Sequence, residues 1–378
     1  IKGIINALIK VLDRGDIRLF SNVEYGADIA LGELTDRYDA VIFSTGCFID
    51  ASLDLPGVDL PGSYGAADFV NWYDSHPDVA QTWPLDAEKV AVIGNGNVAL
   101  DVARVLAKQA DDMHTTEIPD HVYEGLKSSK GTDVHVFGRR GPAQAKFTPL
   151  ELRELGQVKD VDVIVYPEDF EFDEGSLAAI EASNQTKQVA KTLTDFTMRE
   201  PVGAKRRLHL HFLHAPVAIL GEDAVTGLRT ERQELDGTGG VKGTGEFIDW
   251  DVTAVYRAVG YAGTPLPQLP FDETKRVIPN HEGRVVDTGQ QASAAEADVV
   301  QGVYATGWIK RGPVGLIGHT KGDALETIGH ILDDRAAGVL TEPLFPDEDS
   351  IVELLESKGV DFGDWEGSHR LEAAEQAL

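Results

Sequence analysis

The sequence predicts an α/β fold built on a parallel sheet, with an antiparallel β-meander attached to it. Three observations lead there. From residue 38 onward, short apolar runs that end in glycine turns alternate with helical patterns. One such turn, Gly94 to Ala99, has G-x-G-x-x-A spacing and stands between a strand pattern and a helix pattern. Residues 208–262 change character and become β-rich, with glycine breaks such as GTGG at 237–240.

The elements follow in chain order. Ile4, Ile5, Leu8, Ile9 and Leu12 recur on one face of a helix. A strand-like piece is expected at Ile17 to Phe20. Tyr38 to Gly46 (YDAVIFSTG) reads as a buried strand ending in a glycine turn. Lys89 to Gln109 reads as strand, glycine turn and helix. Thr132 to Gly141 is a second strand with a basic turn, and Val161 to Tyr166 a third strand. Residues 263–300 are loop-rich, with Pro265, Pro267, Pro270 and Pro279. Val299 to Trp308 is again a buried strand, followed by an amphipathic helix over Lys321 to Gly338. The tail is acidic and helical, with a DEDS cap at 347–350.

Composition narrows the function classes. The 378 residues carry 34 Lys+Arg against 63 Asp+Glu, a net charge of −29 that disfavours a generic nucleic-acid binder. The 42% hydrophobic content supports a packed core, which rules out a disordered acidic polymer. A single cysteine, Cys47, leaves no intramolecular disulfide and no Cys-ligated zinc or iron–sulfur site. No metal-ligand set is expected. No run approaches the ~20 apolar residues of a membrane span, and no secretory signal opens the chain, so a cytoplasmic protein is expected.

The glycine turn carries the clearest chemistry. Gly94 permits a tight turn, Gly96 lets backbone approach a pyrophosphate, and Ala99 allows close helix–strand packing. The helix start then offers free N–H groups and partial positive charge to phosphates. The next strand ends in Gly138-Arg139-Arg140-Gly141 rather than in an acidic residue. Two guanidiniums suit the 2′-phosphate of NADP, since each can bind phosphate oxygens bidentately. About 40 residues separate the two turns instead of the usual ~20, which an insertion at 110–130 explains.

A second glycine cluster follows the last strand. Gly307, Trp308, Gly312, Gly315 and Gly318 lead into a helix, and Trp308 could stack on a flat ring system. The paired strand ends Thr45-Gly46 and Thr306-Gly307 suggest a two-nucleotide flavoprotein reductase.

Four blocks (GNGNVALDVARVL, FGRRGPAQAKFTPLELRELG, YRAVGYAGTPLPQLPFDE and GWIKRGPVGLIGHTKGDA) together resemble the adrenodoxin-reductase-like ferredoxin–NADP reductases, including the actinobacterial ones. DFVNWYDSHPD resembles the same family's connector, and the resemblance runs from residue 1 to roughly 340. It implies two Rossmann-like domains binding FAD and NADP, the NADP domain inserted into the FAD domain. The expected boundaries are 1–52, 53–264 and 265–378, the outer two being FAD domain. Hydride would pass between NADP(H) and FAD, and single electrons to or from a ferredoxin-type iron–sulfur protein. This agrees with the absence of any evident nucleophile–base set.

Carried over by residue, the resemblance implies that Asn95, Gly96, Asn97 and Val98 cradle the NADP pyrophosphate. Arg139 and Arg140 would bind the 2′-phosphate. Glu151 would contact the ribose or nicotinamide side. Trp308, Gly315, Leu316 and Ile317 would line the flavin. Glu154 is the candidate charged neighbour of the reaction centre. Ferredoxins are acidic, so Lys205, Arg206 and Arg207, and Lys310 with Arg311, are candidate docking cations.

Two departures stand out. The family begins with a strand and glycine turn for the FAD pyrophosphate, whereas this sequence opens at a later IK helix start, which suggests a truncated chain in preference to a real loss of the FAD half-site. The family also reads Asp-Arg where this chain has Asp50-Ala51. Two alternatives remain. One is a flavoprotein subunit of a glutamate-synthase-like electron chain, for which Cys47 alone is a poor match. The other is a non-enzymatic NADP-binding module.

Overall fold

A computed structural model describes residues 5–287, 298–315 and 317–375. The chain divides into two compact units, Phe48–Tyr261 and the combined flanks Ile1–Cys47 with Ala262–Leu378. The boundaries expected at 52 and 264 fall five and three residues beyond these.

The Phe48–Tyr261 unit is built on six parallel strands. Their order across the sheet is Ser63–Gly65, Ala254–Arg257, Lys89–Ile93, Asp133–Phe137, Arg206–His211 and Val161–Val165. Parallel strands need crossover connections, and the helices Asn97–Ala107, Pro149–Leu155 and Asn184–Thr197 lie in them. The helices pack on the face made by Val90, Val92, Val134, Val136, Leu208 and Leu210, all buried in one core. Phe69, Trp72 and Tyr256 complete that core, and Trp83 donates from Nε1 to Tyr256 Oη at 3.1 Å. Strand alternation turns Ala91, Ile93, Phe137 and Val255 to the opposite face, where Ile219, Val225 and Leu228 cover them.

Those covering residues introduce the expected meander. His214–Leu220, Gly227–Leu235 and Val241–Trp250 form an antiparallel three-stranded sheet. The GTGG break makes the turn before Val241, with Asp236 Oδ1 accepting from Thr238 N at 2.8 Å and Gly240 N at 3.1 Å.

The flanking unit holds a four-stranded sheet in the order Val41–Phe43, Asp298–Ala305, Arg284–Asp287 and Asn280–His281. The first pair is parallel and the others antiparallel. Val41, Phe43, Ile278, Val285, Val303 and Ile309 form its core. The observed strands are shorter than the apolar runs that announce them: Val41–Phe43 within Tyr38 to Gly46, and Asp298–Ala305 before Trp308 opens a short helix. The long helix is Ile317–Ala336 and the tail carries Ser350–Ser357. One expectation fails. Ile17 to Phe20 forms no strand, because only Ser21 finds a pairing partner, in an isolated bridge to Gly363.

Candidate dinucleotide and flavin sites

The strand Lys89–Ile93 pairs with Asp133–Phe137 so that Ile93 lies opposite Phe137. Both strands therefore end on the same sheet edge, and their turns stand side by side. Gly94 N donates to Phe137 O at 3.0 Å. Gly94 has φ 156°, and a Cβ there would run into the carbonyl oxygen of Ala258, so only glycine fits. Gly96 caps the Asn97–Ala107 helix with extended backbone and no side-chain cap bond. No side chain caps the first-turn N–H groups, an arrangement in which a helix start can bind an anion. Ala99 is fully buried beneath them.

The remaining residues of the turn have distinct tasks. Asn97 Oδ1 accepts from Thr148 N at 2.8 Å, which pins the start of the Pro149–Leu155 helix beside the glycine turn. Val98 packs against the main core. Asn95 Nδ2 is buried with no hydrogen-bond partner among the described residues. A buried amide donor in that state is costly unless something binds it. Together with the uncapped helix end, it fits a phosphate-bearing ligand.

Arg139 and Arg140 follow Gly138 on the neighbouring strand end. Both are exposed, and neither guanidinium has an ion pair or hydrogen bond among the described residues. Glu151 lies in the first turn of the Pro149–Leu155 helix, its N–H donating to Thr148 Oγ1 at 3.5 Å. Glu154 is half-exposed and bonded to Arg104 at 2.8 Å, and Arg104 also holds Asp101 at 2.6 Å. Its carboxylate thus braces two helices, and action at a reaction centre would require that ion pair to open.

Sequence reasoning passed over Lys146. Its backbone N–H donates to Asn95 O at 2.9 Å, and it forms a parallel bridge with Gly96. Its exposed ammonium adds a third cation near the turn, with no ion pair among the described residues. Only the three-dimensional return of residues 145–148 to the glycine turn reveals it.

In the flanking unit, Ser44, Gly46, Thr306, Gly307, Trp308, Thr320 and Ala324 line a cavity of about 390 Å³. Gly46 and Gly307 have φ 73° and 74°, so both strand ends turn in a conformation suited to glycine. Asp323 is buried and organises this turn. It accepts from Thr306 Oγ1 at 3.0 Å, from Gly307 N and from the Arg311 guanidinium. These bonds and the Lys310 ammonium hold its carboxyl below the ordinary range, against the upward pull of burial. Trp308 is half-buried at the cavity wall, and its carbonyl accepts from Cys47 Sγ at 3.4 Å. Burial pushes the Cys47 thiol up. Gly315 is exposed with φ 85°. Ile317 opens the long helix, and Leu316 lies outside the described residues.

The proposed docking cations need correction. Lys310 is buried, bonded to Asp323 at 2.9 Å and Glu326 at 2.5 Å, and donates to Thr327 Oγ1 at 3.1 Å. Arg311 is bound by the same two carboxylates. Arg206 is buried against the end of the Asn97–Ala107 helix. Arg207 is held by Asp133 at 2.7 Å. Of the five, Lys205 alone is exposed with no ion pair among the described residues. A run of cations in sequence does not make a surface patch when each meets a carboxylate or carbonyl in the fold.

Comparison with known proteins decides the family. The chain is 38% identical over 385 residues to the NADPH-ferredoxin reductase FprA of Mycobacterium leprae, covering 99% of this chain and 81% of that protein. It belongs to the adrenodoxin-reductase-like NADPH–ferredoxin reductases. The mitochondrial NADPH:adrenodoxin oxidoreductase of Bos taurus is 34% identical over 385 residues, covering 97% of this chain and 75% of that protein. Among solved structures, Mycobacterium tuberculosis FprA in complex with NADPH superposes with a TM-score of 0.85 at 38% identity. That match covers 96% of this chain and 79% of the other. No family model matches the chain. This reductase is thus an oxidoreductase of the two-domain FAD/NAD(P) fold. No helix among its described residues is long and apolar enough to cross a membrane.

Proposed function

We propose that this reductase binds NADP(H) at the Gly94–Val98 turn and FAD at the Thr306–Trp308 side, and exchanges electrons with a ferredoxin-type iron–sulfur protein. One observation carries the reading. Two guanidiniums with no ion pair among the described residues, Arg139 and Arg140, stand on the strand end beside an uncapped glycine turn. That pairing suits a pyrophosphate together with a 2′-phosphate better than it suits NAD.

The protein's own contribution is positioning. The Asn97–Ala107 helix start and Asn95 Nδ2 would bind pyrophosphate oxygens, and Arg139 and Arg140 the 2′-phosphate. Glu151 faces the ribose or nicotinamide side in this reading. Gly46, Gly307, Trp308 and Gly315 would shape the flavin side, and the family resemblance adds Leu316 and Ile317 to it. Asp323 fixes the Gly307 N–H and so sets the backbone that a flavin would meet. FAD supplies the conversion between two-electron exchange with nicotinamide and one-electron exchange with iron–sulfur proteins. A reducing, cytoplasmic location suits the bacterial relatives and the lone cysteine.

The test is spectroscopic. Purified protein is expected to hold FAD, and anaerobic NADPH is expected to bleach it much faster than NADH. Binding of NADPH without any flavin would favour the non-enzymatic module. Equal bleaching by NADH and NADPH would overturn the assignment of the two arginines.

A further inference from the structure

The meander-side face of the six-stranded sheet carries chemistry that electron transfer does not use. His209 and His211 lie two residues apart on one strand, so they share a face. Parallel pairing sets His135 opposite His209 and Phe137 opposite His211. The same strands fill the helix side with Val134, Val136, Leu208 and Leu210. Apolar residues would have packed the meander side equally well. Instead it holds three imidazoles and the buried carboxylate of Asp133.

The three rings are nearly parallel, with His135 stacked on His209 at 4.3 Å and 9°, so they bring donor nitrogens together, and a shared ion would require the rings to turn toward it. One nitrogen from each imidazole lies within 4.8 Å of the others. His135 Nδ1 and His211 Nε2 share a hydrogen bond of 3.0 Å, and a cation would take the place of the proton between them. Two nitrogens on a tetrahedral zinc ion, each bonded at ~2.0–2.1 Å, stand about 3.3 Å apart. His209 Nε2 is held by Asp133 Oδ1 at 3.0 Å, which leaves Nδ1, 2.9 Å from the Tyr166 hydroxyl. Asp133 is itself fixed by Thr132 Oγ1 at 2.8 Å and Arg207 Nη2 at 2.7 Å. A carboxylate bonded to the far nitrogen of an imidazole is the usual support of a metal-ligating histidine. Phe137, Tyr166 and Trp250 wall the cluster, with ring centroids 4.8, 4.7 and 4.6 Å from His211. His135 is the partly exposed member and gives a route in.

We propose that His135, His209 and His211 form a binding site for a late first-row divalent cation, of the zinc or cobalt class, with the Tyr166 hydroxyl or a water as fourth ligand. The site lies on the meander face just before the Gly138–Gly141 turn, with Gly138 N donating to His211 O at 2.8 Å. Imidazole donors favour these ions over Mg²⁺ and Ca²⁺, which take oxygen ligands.

The test is titration of tag-free, chelator-treated protein with Co²⁺ in excess Mg²⁺, which occupies the acidic surface. One equivalent is expected to bind, with the intense visible absorption of a tetrahedral nitrogen-ligated cobalt site. Two variants guard against misfolding. His211→Phe keeps the ring stack, and His209→Gln can still bridge Asp133 and Tyr166. Each is expected to weaken cobalt binding by about 100-fold while the far-ultraviolet spectrum stays unchanged. Absence of the absorption in the parent protein would overturn the proposal. So would equal cobalt uptake by the parent and both folded variants.

Discussion

Arg206 lies across the C-terminal end of the Asn97–Ala107 helix and donates from Nη1 to the carbonyl of Lys108 at 2.6 Å. The same nitrogen reaches the Leu106 and Ala107 carbonyls at 3.4 Å. A helix end leaves its last carbonyls without intrahelical partners, and a cation there also opposes the helix dipole. The helix whose N-terminus faces the glycine turn is therefore braced at its other end by a buried charge. Replacing Arg206 with Met is expected to destabilise the protein by about 2 kcal/mol, the usual loss for buried hydrogen bonds to a charged group. Urea unfolding checks this. A midpoint within error of the parent would show that water reaches those carbonyls equally well.

Arg139 and Arg140 are expected to set cofactor preference. Changing both to Ala should weaken NADPH binding by roughly 100-fold, as each charge-assisted contact is worth about 1.5–3 kcal/mol, while NADH binding stays nearly constant. Fluorescence titration with both nucleotides measures the ratio. Equal losses for the two nucleotides would remove the 2′-phosphate from the account.

Asp323 and Lys310 form a buried pair with unequal roles. Asp323 serves Lys310, Arg311, Thr306 and the Gly307 N–H, whereas Lys310 serves two carboxylates and Thr327. Asp323→Ala leaves a buried ammonium and a turn N–H without that partner. It is expected to cost about 3 kcal/mol and to speed flavin loss. Lys310→Met should cost clearly less, since Arg311 still neutralises Asp323. Thermal unfolding and flavin release from both variants decide it. Equal effects would mean that the pair acts only as a charge couple.

Asp173 provides a pH-dependent cap. Its carboxylate accepts from Ser176 N at 2.8 Å and from Gly239 N at 3.0 Å, and these bonds hold its pKa down to about 2. The unfolded value is near 3.8. A depressed carboxylate contributes its stability in full above the unfolded value and loses it as pH falls toward the folded one. Asp173→Ala should therefore cost about 1 kcal/mol at pH 6, the usual worth of a helix cap, and progressively less below pH 4. A parent-to-variant difference that grows on acidification would reverse the sign of this account.

The glycine turn was legible because its physics is local. Gly94, Gly96 and Ala99 act within six residues, and the strand before them and the helix after them are visible in the same window. The meander was legible from its glycine breaks. What escaped was set by pairing across long sequence distances. Arg206 and Arg207 read as a basic run, yet one caps a helix 98 residues away and the other meets Asp133, 74 residues away. The imidazole cluster was half-visible, since His209 and His211 alternate in the strand, but His135 joins them only through sheet register. Lys146 and the fate of Ile17 to Phe20 likewise depended on which segment returned to which neighbour.

The internal neutralisation of Lys310 and Arg311 reaches beyond the turn they occupy. Two cations matched by Asp323 and Glu326 sum to no charge, so this cluster projects no attractive field into solvent. At a net charge of −29, the long-range potential that an anionic partner meets is repulsive. Dissolved salt shortens the reach of that repulsion, to about 10 Å at 0.1 M. Added salt should thus hasten the first encounter with an acidic redox partner, the reverse of the slowing seen when opposite charges steer two proteins together.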